Sequence, residues 1–411
     1  MASLARTSDP VGAADAPTTP VAPRRRRPGW LALLLLSVAA LVATACEPAP
    51  RADSSNASTS DPRGWFEAGR LWYGDFGDPT IVRDGANYYA YASPTAGRYL
   101  PVLTSTNLVD WRIHPRYSQS PTPAADAAIP LEIRNWSAST VDKWNNNDGL
   151  VRPTTWGLTE NQGSWIRRSY WAPGIARIGS TWYAYSAVRV SYAGDDPNNF
   201  GRFCLTVATA TSPWGPFRDA TGSTPLHCDA DPSGSIDPEP FRDPVSGNWY
   251  LLWKSAGKVG AYPSTLKARR LGSDGRFDPA APTVTLLSTA RPWEGNTIEA
   301  PSMVYFRGRY YLFYAGNSSV PGPGNSSSYA TGYAMCDRGP LAGCNRVTNG
   351  PLMANLDEQQ GRAGGSAFLD ADGGLRFVYS YYWSGEDRNP APRRMAVATL
   401  GTDSTGRLVV K

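Results

Sequence analysis

The stretch GDPTIVRDGANYYAYAS, Gly77 to Ser93, decides the fold because its pattern returns along the chain. It contains an acid before a proline, a short apolar strand, a turn with glycine, and an aromatic strand with alternating sides. The pattern recurs four times, as APGIARIGSTWYAYSA from Ala172, DPEPFRDPVSGNWYLLWKS from Asp237, APSMVYFRGRYYLFYAG from Ala300 and GGSAFLDADGGLRFVYSYY from Gly364. Five copies of one hairpin predict a repeated all-β architecture.

The spacing of the copies indicates which β architecture forms. Their aligned aromatic residues are Tyr89, Tyr183, Tyr250, Tyr311 and Phe377, at spacings of 94, 67, 61 and 66 residues. Each unit therefore has room for two more strands, which predicts a five-bladed β-propeller over residues 64–411. The wide first spacing predicts an insertion at about 117–168. A β-sandwich is the alternative, but it does not explain five returns of one hairpin.

The N-terminal residues 1–45 have the pattern of an export signal. Arg24 to Arg27 are basic, Trp30 to Ala45 are apolar, and LVATAC ends the run at Cys46. The pattern resembles a bacterial lipoprotein signal, which implies cleavage, lipidation of Cys46 and anchoring to a membrane surface. A plain secretory signal and an uncleaved anchor are the alternatives. Residues 46–63, rich in Pro, Ser and Asp, are predicted to be a flexible tether.

The remaining four cysteines fit an exported protein. Their even number predicts two disulfides, and short sequence separation favours Cys204 with Cys228 and Cys336 with Cys344 among three connectivities. No CxxC spacing or Cys/His cluster indicates zinc. We therefore predict no metal site and no cofactor.

Charge and motifs exclude several function classes. Beyond residue 45 the chain has 35 Lys and Arg against 33 Asp and Glu, which gives no electrostatic reason to expect nucleic acid. The two histidines, His114 and His227, both lie outside the repeated position, which argues against a Ser-His-Asp mechanism. The nucleophile motif GxSxG and the phosphate-binding motif GxxxxGK[ST] are absent from the sequence.

Acids occupy equivalent places in three of the five units. Asp78 and Asp237 each precede a proline at the start of a unit, and Glu299 stands one residue earlier, before Ala300. Because the innermost strands of a propeller line one axis, we expect these three side chains to converge. Carboxyl groups held close together cannot all ionise freely, so at least one pKa must rise. Such a cluster suits general acid and base chemistry.

Several motifs together resemble glycoside hydrolase family 43. They are the opening stretch, TSTNLVDW, SYWAPGIARIGSTWYAYS, TSPWGPF, GSIDPEPFRDPVSGNWYLLWKS and IEAPSMVYFRGRYYLFYAG. The resemblance implies a five-bladed propeller that hydrolyses arabinose- or xylose-containing plant polysaccharides with inversion at the anomeric carbon. It also implies that Asp78 is the general base, that Asp237 tunes and orients the general acid, and that Glu299 is that acid. Inversion needs base and acid roughly 6.5–9.5 Å apart.

Two positions depart from the family pattern. Gly174 follows Pro173 where the family often has an acid, and Gly365 stands near the place of a histidine that is often linked to an axial calcium ion. We therefore assign no calcium. Neither departure affects the three acids.

Sugar binding is expected to use aromatic faces and a few directed polar groups. Trp171 and Phe76 are predicted to stack on sugars, and Arg362 to bind hydroxyl groups. The predicted protein is an exported, monomeric α-L-arabinofuranosidase or arabinanase. A β-xylosidase and a non-catalytic glycan-binding lipoprotein remain the alternatives.

Overall fold

A computed structural model gives the fold of most of the predicted propeller. It describes residues 75–94, 99–113, 150–152, 159–162, 165–168, 170–190, 202–231, 234–257, 262–385 and 391–411. The predicted signal, the tether with Cys46, and most of the predicted insertion lie outside these ranges. Within them, no helix is both long enough and apolar enough to cross a membrane.

The described residues form a five-bladed β-propeller, as the repeat predicted. Five sheets surround one channel, and the first full strand of each unit lines it. The strands of blade 1 are β1 (Thr80–Asp84), β2 (Asn87–Tyr91), β3 (Val102–Ser105) and β4 (Arg112–Ile113). They follow one another outward from the axis, each antiparallel to the last.

Blade 2 contains an extra strand that comes from the predicted insertion. The inserted strands are β5 (Leu150–Arg152), β6 (Thr159–Gln162) and β7 (Trp165–Arg168). The strands of the repeat are β8 (Tyr170–Ile178), β9 (Thr181–Val190), β10 (Arg202–Ala210) and β11 (Phe217–Asp219). β5 pairs in parallel with β11 at the outer edge, whereas β6 and β7 form a separate hairpin.

Blades 3 to 5 repeat the simple four-stranded order. Blade 3 has β12 (Ser235–Arg242), β13 (Trp249–Ser255), β14 (Thr265–Leu271) and β15 (Val284–Ser288). Blade 4 has β16 (Ile298–Phe306), β17 (Arg309–Gly316), β18 (Ala330–Cys336) and β19 (Asn345–Arg346). Blade 5 has β20 (Gln359–Leu369), β21 (Leu375–Trp383), β22 (Arg394–Thr402) and β23 (Leu408–Val410). Short 3-10 helices span Pro292–Glu294, Pro323–Asn325 and Gly339–Leu341.

The hydrophobic core lies between the blades. Each sheet buries both faces, so the second strands are apolar almost throughout instead of alternating with polar residues. In β13, Leu251 and Trp253 pack toward blade 2, whereas Leu252 packs toward blade 4. Between blades 4 and 5, Phe313 stacks on Phe377 with ring centroids 5.0 Å apart. Burial on both faces thus explains the dense aromatic pattern of the repeat.

Both predicted disulfides are present. Cys204 of β10 is bonded to Cys228, and Cys336 of β18 is bonded to Cys344. The first bridge ties β10 to the segment between β11 and β12, and the second ties the end of β18 to the segment just before β19. The local pairing predicted from sequence separation is therefore confirmed.

Blades 1 and 5 meet at a junction that we call the closing seam. Ile81 and Tyr88 of blade 1 pack there in one cluster with Val378 of blade 5. The Phe76 amide donates to the Arg393 carbonyl at 2.8 Å, and the Arg393 amide donates to Asp75 Oδ1 at 2.8 Å. No described strand of one of these blades pairs with a strand of the other. Side-chain packing and these hydrogen bonds join the two blades.

Candidate active site

Each unit has one residue with left-handed backbone at the channel mouth. These residues are Asp78 (φ 53°), Ala172 (φ 44°), Asp237 (φ 54°), Ala300 (φ 48°) and Gly364 (φ 67°). A residue other than glycine rarely adopts this conformation, at a cost of about 1–3 kcal/mol. In blades 2 to 5 the pairing of the innermost strand is also interrupted here by a register shift. The repeated bend, absent from ordinary hairpins, shapes the rim of the channel.

The three predicted acids lie together in a cleft at this rim. The cleft has a volume of about 390 Å³, within the range of small-molecule sites. Its lining residues are Asp75, Asp78, Ser93, Pro94, Trp171, Ile236, Asp237, Glu299, Ser319 and Arg393. Residues more than two hundred positions apart in sequence thus share one site. The convergence expected from the propeller geometry is present.

Asp78 is held by an arginine from the last blade. Arg393 Nη1 donates to both carboxylate oxygens, at 3.1 and 3.0 Å, and the Ser93 hydroxyl donates to Oδ2 at 2.6 Å. Ser93 Oγ in turn accepts the Ala172 amide at 2.8 Å. Asp78 and the neighbouring Asp75 together hold the pKa of Arg393 well above its usual value. These contacts fix the Asp78 carboxylate from blades 1 and 5.

Asp237 is a buried carboxyl group that keeps its proton to an unusually high pH. Burial, followed by the nearby charge of Glu299, raises its pKa to about 7. The Asp78 charge acts in the same direction, whereas Lys254 and the Ala300 amide, which donates to Oδ2 at 2.9 Å, oppose the rise. Asp237 therefore stays largely protonated below neutral pH.

Glu299 is held by two side chains from neighbouring strands. Lys254 Nζ lies 2.8 Å from Oε2, and the Tyr329 hydroxyl donates to Oε1 at 2.7 Å. Burial and the adjacent Glu299 charge raise the pKa of Tyr329 well above its usual value, so this hydroxyl remains a donor. Asp78 and Asp237 are themselves bend residues, whereas Glu299 comes immediately before the bend residue Ala300. The side chain of Glu299 is longer than that of the two aspartates and starts one residue before the bend.

Trp171 presents an aromatic face to the cleft. It is 39% exposed, and its ring packs on Phe203 with centroids 4.2 Å apart. Contact with Phe203 orients the indole and leaves part of it open beside the three acids. This position suits the predicted stacking on a sugar ring.

The structure does not bring the other two predicted binding residues to the cleft. Phe76 is fully buried in the closing seam, because the chain turns it inward before the bend at Asp78. The prediction that Phe76 stacks on a sugar is therefore wrong. Arg362 is 8% exposed, lies over the Tyr379 ring at 5.2 Å and is absent from the cleft lining. Arg393 is the arginine that lines it.

Sequence reasoning missed the partners of the acids. Lys254 interrupts the buried run YLLWKS with a charge, a signal that could have singled it out. Arg393 gave no comparable signal, because its approach to Asp78 depends on how blade 5 meets blade 1. Ser93 and Tyr329 look like ordinary strand-end residues in the sequence.

Two residues beyond each bend, polar side chains from four blades meet in the channel. We call this set the axial ring; it consists of Thr80, Glu239, Ser302 and Ser366. Ser366 Oγ donates to Thr80 Oγ1 at 3.2 Å, and hydrogen bonds link Glu239 to Ser302 and Thr80. Burial raises the pKa of Glu239 to about 8, against which these two hydrogen bonds act. The ring therefore holds a protonated carboxyl group at neutral pH.

Close backbone packing accounts for the two departures from the family pattern. A Cβ atom at Gly174 would collide with the Pro238 carbonyl, and one at Gly365 would collide with the Val378 carbonyl. Blade packing here thus leaves no room for the acid or the histidine. In the described ranges no three His, Cys, Asp or Glu side chains form a group suited to a metal ion.

Comparisons with known proteins agree with this architecture. The extracellular endo-alpha-(1->5)-L-arabinanase 1 of Bacillus subtilis (strain 168) is 24% identical over 362 residues, covering 86% of this chain and 92% of that protein. A thermostable family-43 glycoside hydrolase matches with a TM-score of 0.60 and 22% identity, over 82% of this chain and 93% of the other. An endo-1,4-beta-xylanase from Bacteroides thetaiotaomicron matches with a TM-score of 0.55 and 20% identity, over 82% and 95%. The two structures share the fold.

A propeller with carboxyl groups converging at its rim has the groups that acid–base hydrolysis of a glycosidic bond requires. Residues 123–402 match glycosyl hydrolases family 43. The chain belongs to that family and is a glycoside hydrolase. Blade 1 lies before the matched range, so the family match does not include Asp78. The structure shows that Asp78 lies in the same cleft as Asp237 and Glu299.

Proposed function

We propose that this protein is an exported, inverting glycoside hydrolase that cleaves arabinose-containing plant polysaccharides, with α-1,5-linked arabinan as its main substrate. The observation that carries the proposal is the convergence of Asp78, Asp237 and Glu299 in one cleft, each with different partners. The similarity to an extracellular arabinanase supports both the substrate and the export.

The partners of the acids suit three different roles. Asp78, oriented by Arg393 and Ser93, acts as the general base and takes a proton from the attacking water. Glu299, held by Lys254 and Tyr329, acts as the general acid and protonates the leaving oxygen. Asp237 keeps a proton close to Glu299, since burial and the Glu299 charge raise its pKa. Water attacks the face opposite the leaving group, so the product anomer is inverted.

Xylan is the second candidate substrate. The same acids would serve xylosides, and the structural match to an endo-1,4-beta-xylanase favours keeping this alternative. Purified protein should be assayed on linear arabinan, xylan and their aryl glycosides. Release of arabino-oligosaccharides with little release from xylan is the expected result, and the reverse preference would favour the xylanase.

Two substitutions test the assigned roles. Glu299→Gln and Asp78→Asn should each lower kcat on linear arabinan by about 10²-fold or more, because each removes a proton-transfer group while keeping its shape. Proton NMR of the first product formed should show the inverted anomer. Undiminished activity in either variant, with the circular dichroism spectrum of the wild type, would contradict that role.

A further inference from the structure

Lys254 is a buried lysine beside the cleft that transfers no proton in the three-acid mechanism. It is 5% exposed and lies near the end of β13, after Trp253. Because side chains alternate along a strand, Lys254 shares the face of Leu252, which packs toward blade 4. Glu299 is on the first strand of blade 4, so the alternation of β13 directs the ammonium group toward it.

The contact between Lys254 and Glu299 is close and shielded from solvent. Nζ lies 2.8 Å from Oε2, and the two side chains are 7% and 14% exposed. Removing one partner of such a pair leaves an uncompensated buried charge, which is strongly destabilising. The two side chains therefore stay in contact. The Tyr329 hydroxyl occupies the other oxygen of the same carboxylate. Glu299 is thereby fixed at both oxygens.

The charge of Lys254 acts on two carboxyl groups. It lies in direct contact with Glu299, and it opposes the rise in the pKa of Asp237. A general acid, however, must carry a proton when the substrate is bound. The Asp237–Glu299 pair must therefore hold one proton in the active enzyme, while Lys254 lies in contact with Glu299.

We propose that Lys254 is a positioning residue that fixes Glu299 and sets the pH above which the Asp237–Glu299 pair loses its proton. The proposal rests on the proposed function, since it takes Glu299 as the general acid. With the substrate bound, Glu299 gives the proton of the pair to the leaving oxygen as the glycosidic bond breaks. The proton of the attacking water goes to Asp78, and exchange with solvent then restores both sites.

Other charged groups around the pair act in known directions. The titratable groups near Glu299 are Lys254 on β13, Asp237 on β12, Asp78 ahead of β1 and Tyr329 ahead of β18, with Arg393 beyond Asp78. Among the causes of the Asp237 shift, Lys254 is the positive charge, and Glu299 and Asp78 are the negative ones. Removing Lys254 therefore tightens the hold of the pair on its proton.

The test is the pH profile of kcat/KM for Lys254→Met on linear α-1,5-arabino-oligosaccharides. This quantity reports the protonation of the free enzyme, and its alkaline limb follows loss of the proton from the pair. We expect that limb to move up by about one pH unit, because an opposite charge in contact changes proton affinity by at least that much. Lys254→Arg keeps the charge and should leave the limb at its wild-type pH.

Lys267→Met provides a matched control. Lys267 forms a similar pair with Asp229, Nζ to Oδ1 at 2.6 Å, in the same blade but away from the cleft. Its removal should lower stability without moving the alkaline limb. An active Lys254→Met variant with an unchanged limb, or one moved to lower pH, would overturn the inference.

The experiment separates this inference from the proposed function. Circular dichroism shows whether Lys254→Met folds. If it does not, Lys254→Gln removes the same charge while keeping a hydrogen-bond donor. An alkaline limb at the wild-type pH in Lys254→Gln would also overturn the inference. Full activity of Glu299→Gln on arabinan would instead contradict the proposed function, whatever the profile of the lysine variants.

Discussion

The three carboxyl groups of the cleft differ through their neighbours at the scale of single residues. Asp78 contacts an arginine, Glu299 contacts a lysine, and Asp237 accepts a backbone amide in a buried position where its pKa rises to about 7. Chemically similar side chains thus have different partners and orientations within one site. Trp171 adds a flat apolar face next to them.

Replacing Trp171 tests whether that face binds sugar. Trp171→Ala should raise KM for arabino-oligosaccharides about fivefold, because an aromatic contact contributes about 1 kcal/mol, and should change kcat less. Trp171→Phe should recover most of the affinity. Tyr262→Ala removes an exposed aromatic residue outside the cleft lining and should leave KM unchanged. Equal KM values for wild type and Trp171→Ala would exclude stacking on this residue.

The innermost strands show how a repeated element is adapted at the scale of secondary structure. All five units carry the left-handed bend, but only two place an acid on it, and a third places the acid one residue before it. Two positions further on, four of these five strands supply the axial ring. The same backbone geometry thus places charged groups at the rim, and it places hydroxyl groups and one carboxyl group inside the channel.

Glu239 makes the stability of the axial ring depend on pH. Its folded-state pKa of about 8 exceeds the ordinary value of 4.5, so its contribution to stability is complete below pH 4.5 and is lost as the pH rises through 8. Between these values the free energy of unfolding falls by about 1.4 kcal/mol per pH unit on account of this group. Glu239→Gln should therefore show a shallower decline from pH 5 to 8.

Urea unfolding of both proteins at several pH values measures this difference. Asp237 contributes a decline of the same sign in both proteins, so the comparison isolates Glu239. Parallel declines in the wild type and in Glu239→Gln would show that Glu239 is ionised in the folded state, contrary to this prediction.

The sequence predicted what repeats and could not predict what depends on contact between repeats. The five hairpins, the two disulfides and the positions of the three acids follow from periodicity and spacing. By contrast, the burial of Phe76 and the approach of Arg393 to Asp78 depend on how blades 1 and 5 meet. The strand β5 comes from an insertion without a matching repeat, so no pattern indicated its parallel pairing with β11.

At the scale of the whole molecule, the described blades form one catalytic body, and the predicted membrane anchor lies outside them. Cys46 and the tether remain predictions from the sequence. Cys46→Ser should release the protein from the membrane fraction into the medium or periplasm, because it removes the site of lipidation. Fractionation with immunoblotting measures this, and specific activity on arabinan should be unchanged. A variant that stays in the membrane fraction would argue against a lipid anchor.

Arg393 has a consequence for how this enzyme fails. Its backbone bonds to Phe76 and Asp75, and its side chain holds Asp78, so one residue both fastens the two ends of the ring and orients the group assigned as the base. Separation of the first and last blades would therefore displace the Asp78 carboxylate while the individual sheets remain paired. Loss of activity should therefore report the separation of blades 1 and 5. We expect inactivation by heat or denaturant to precede the loss of β-structure.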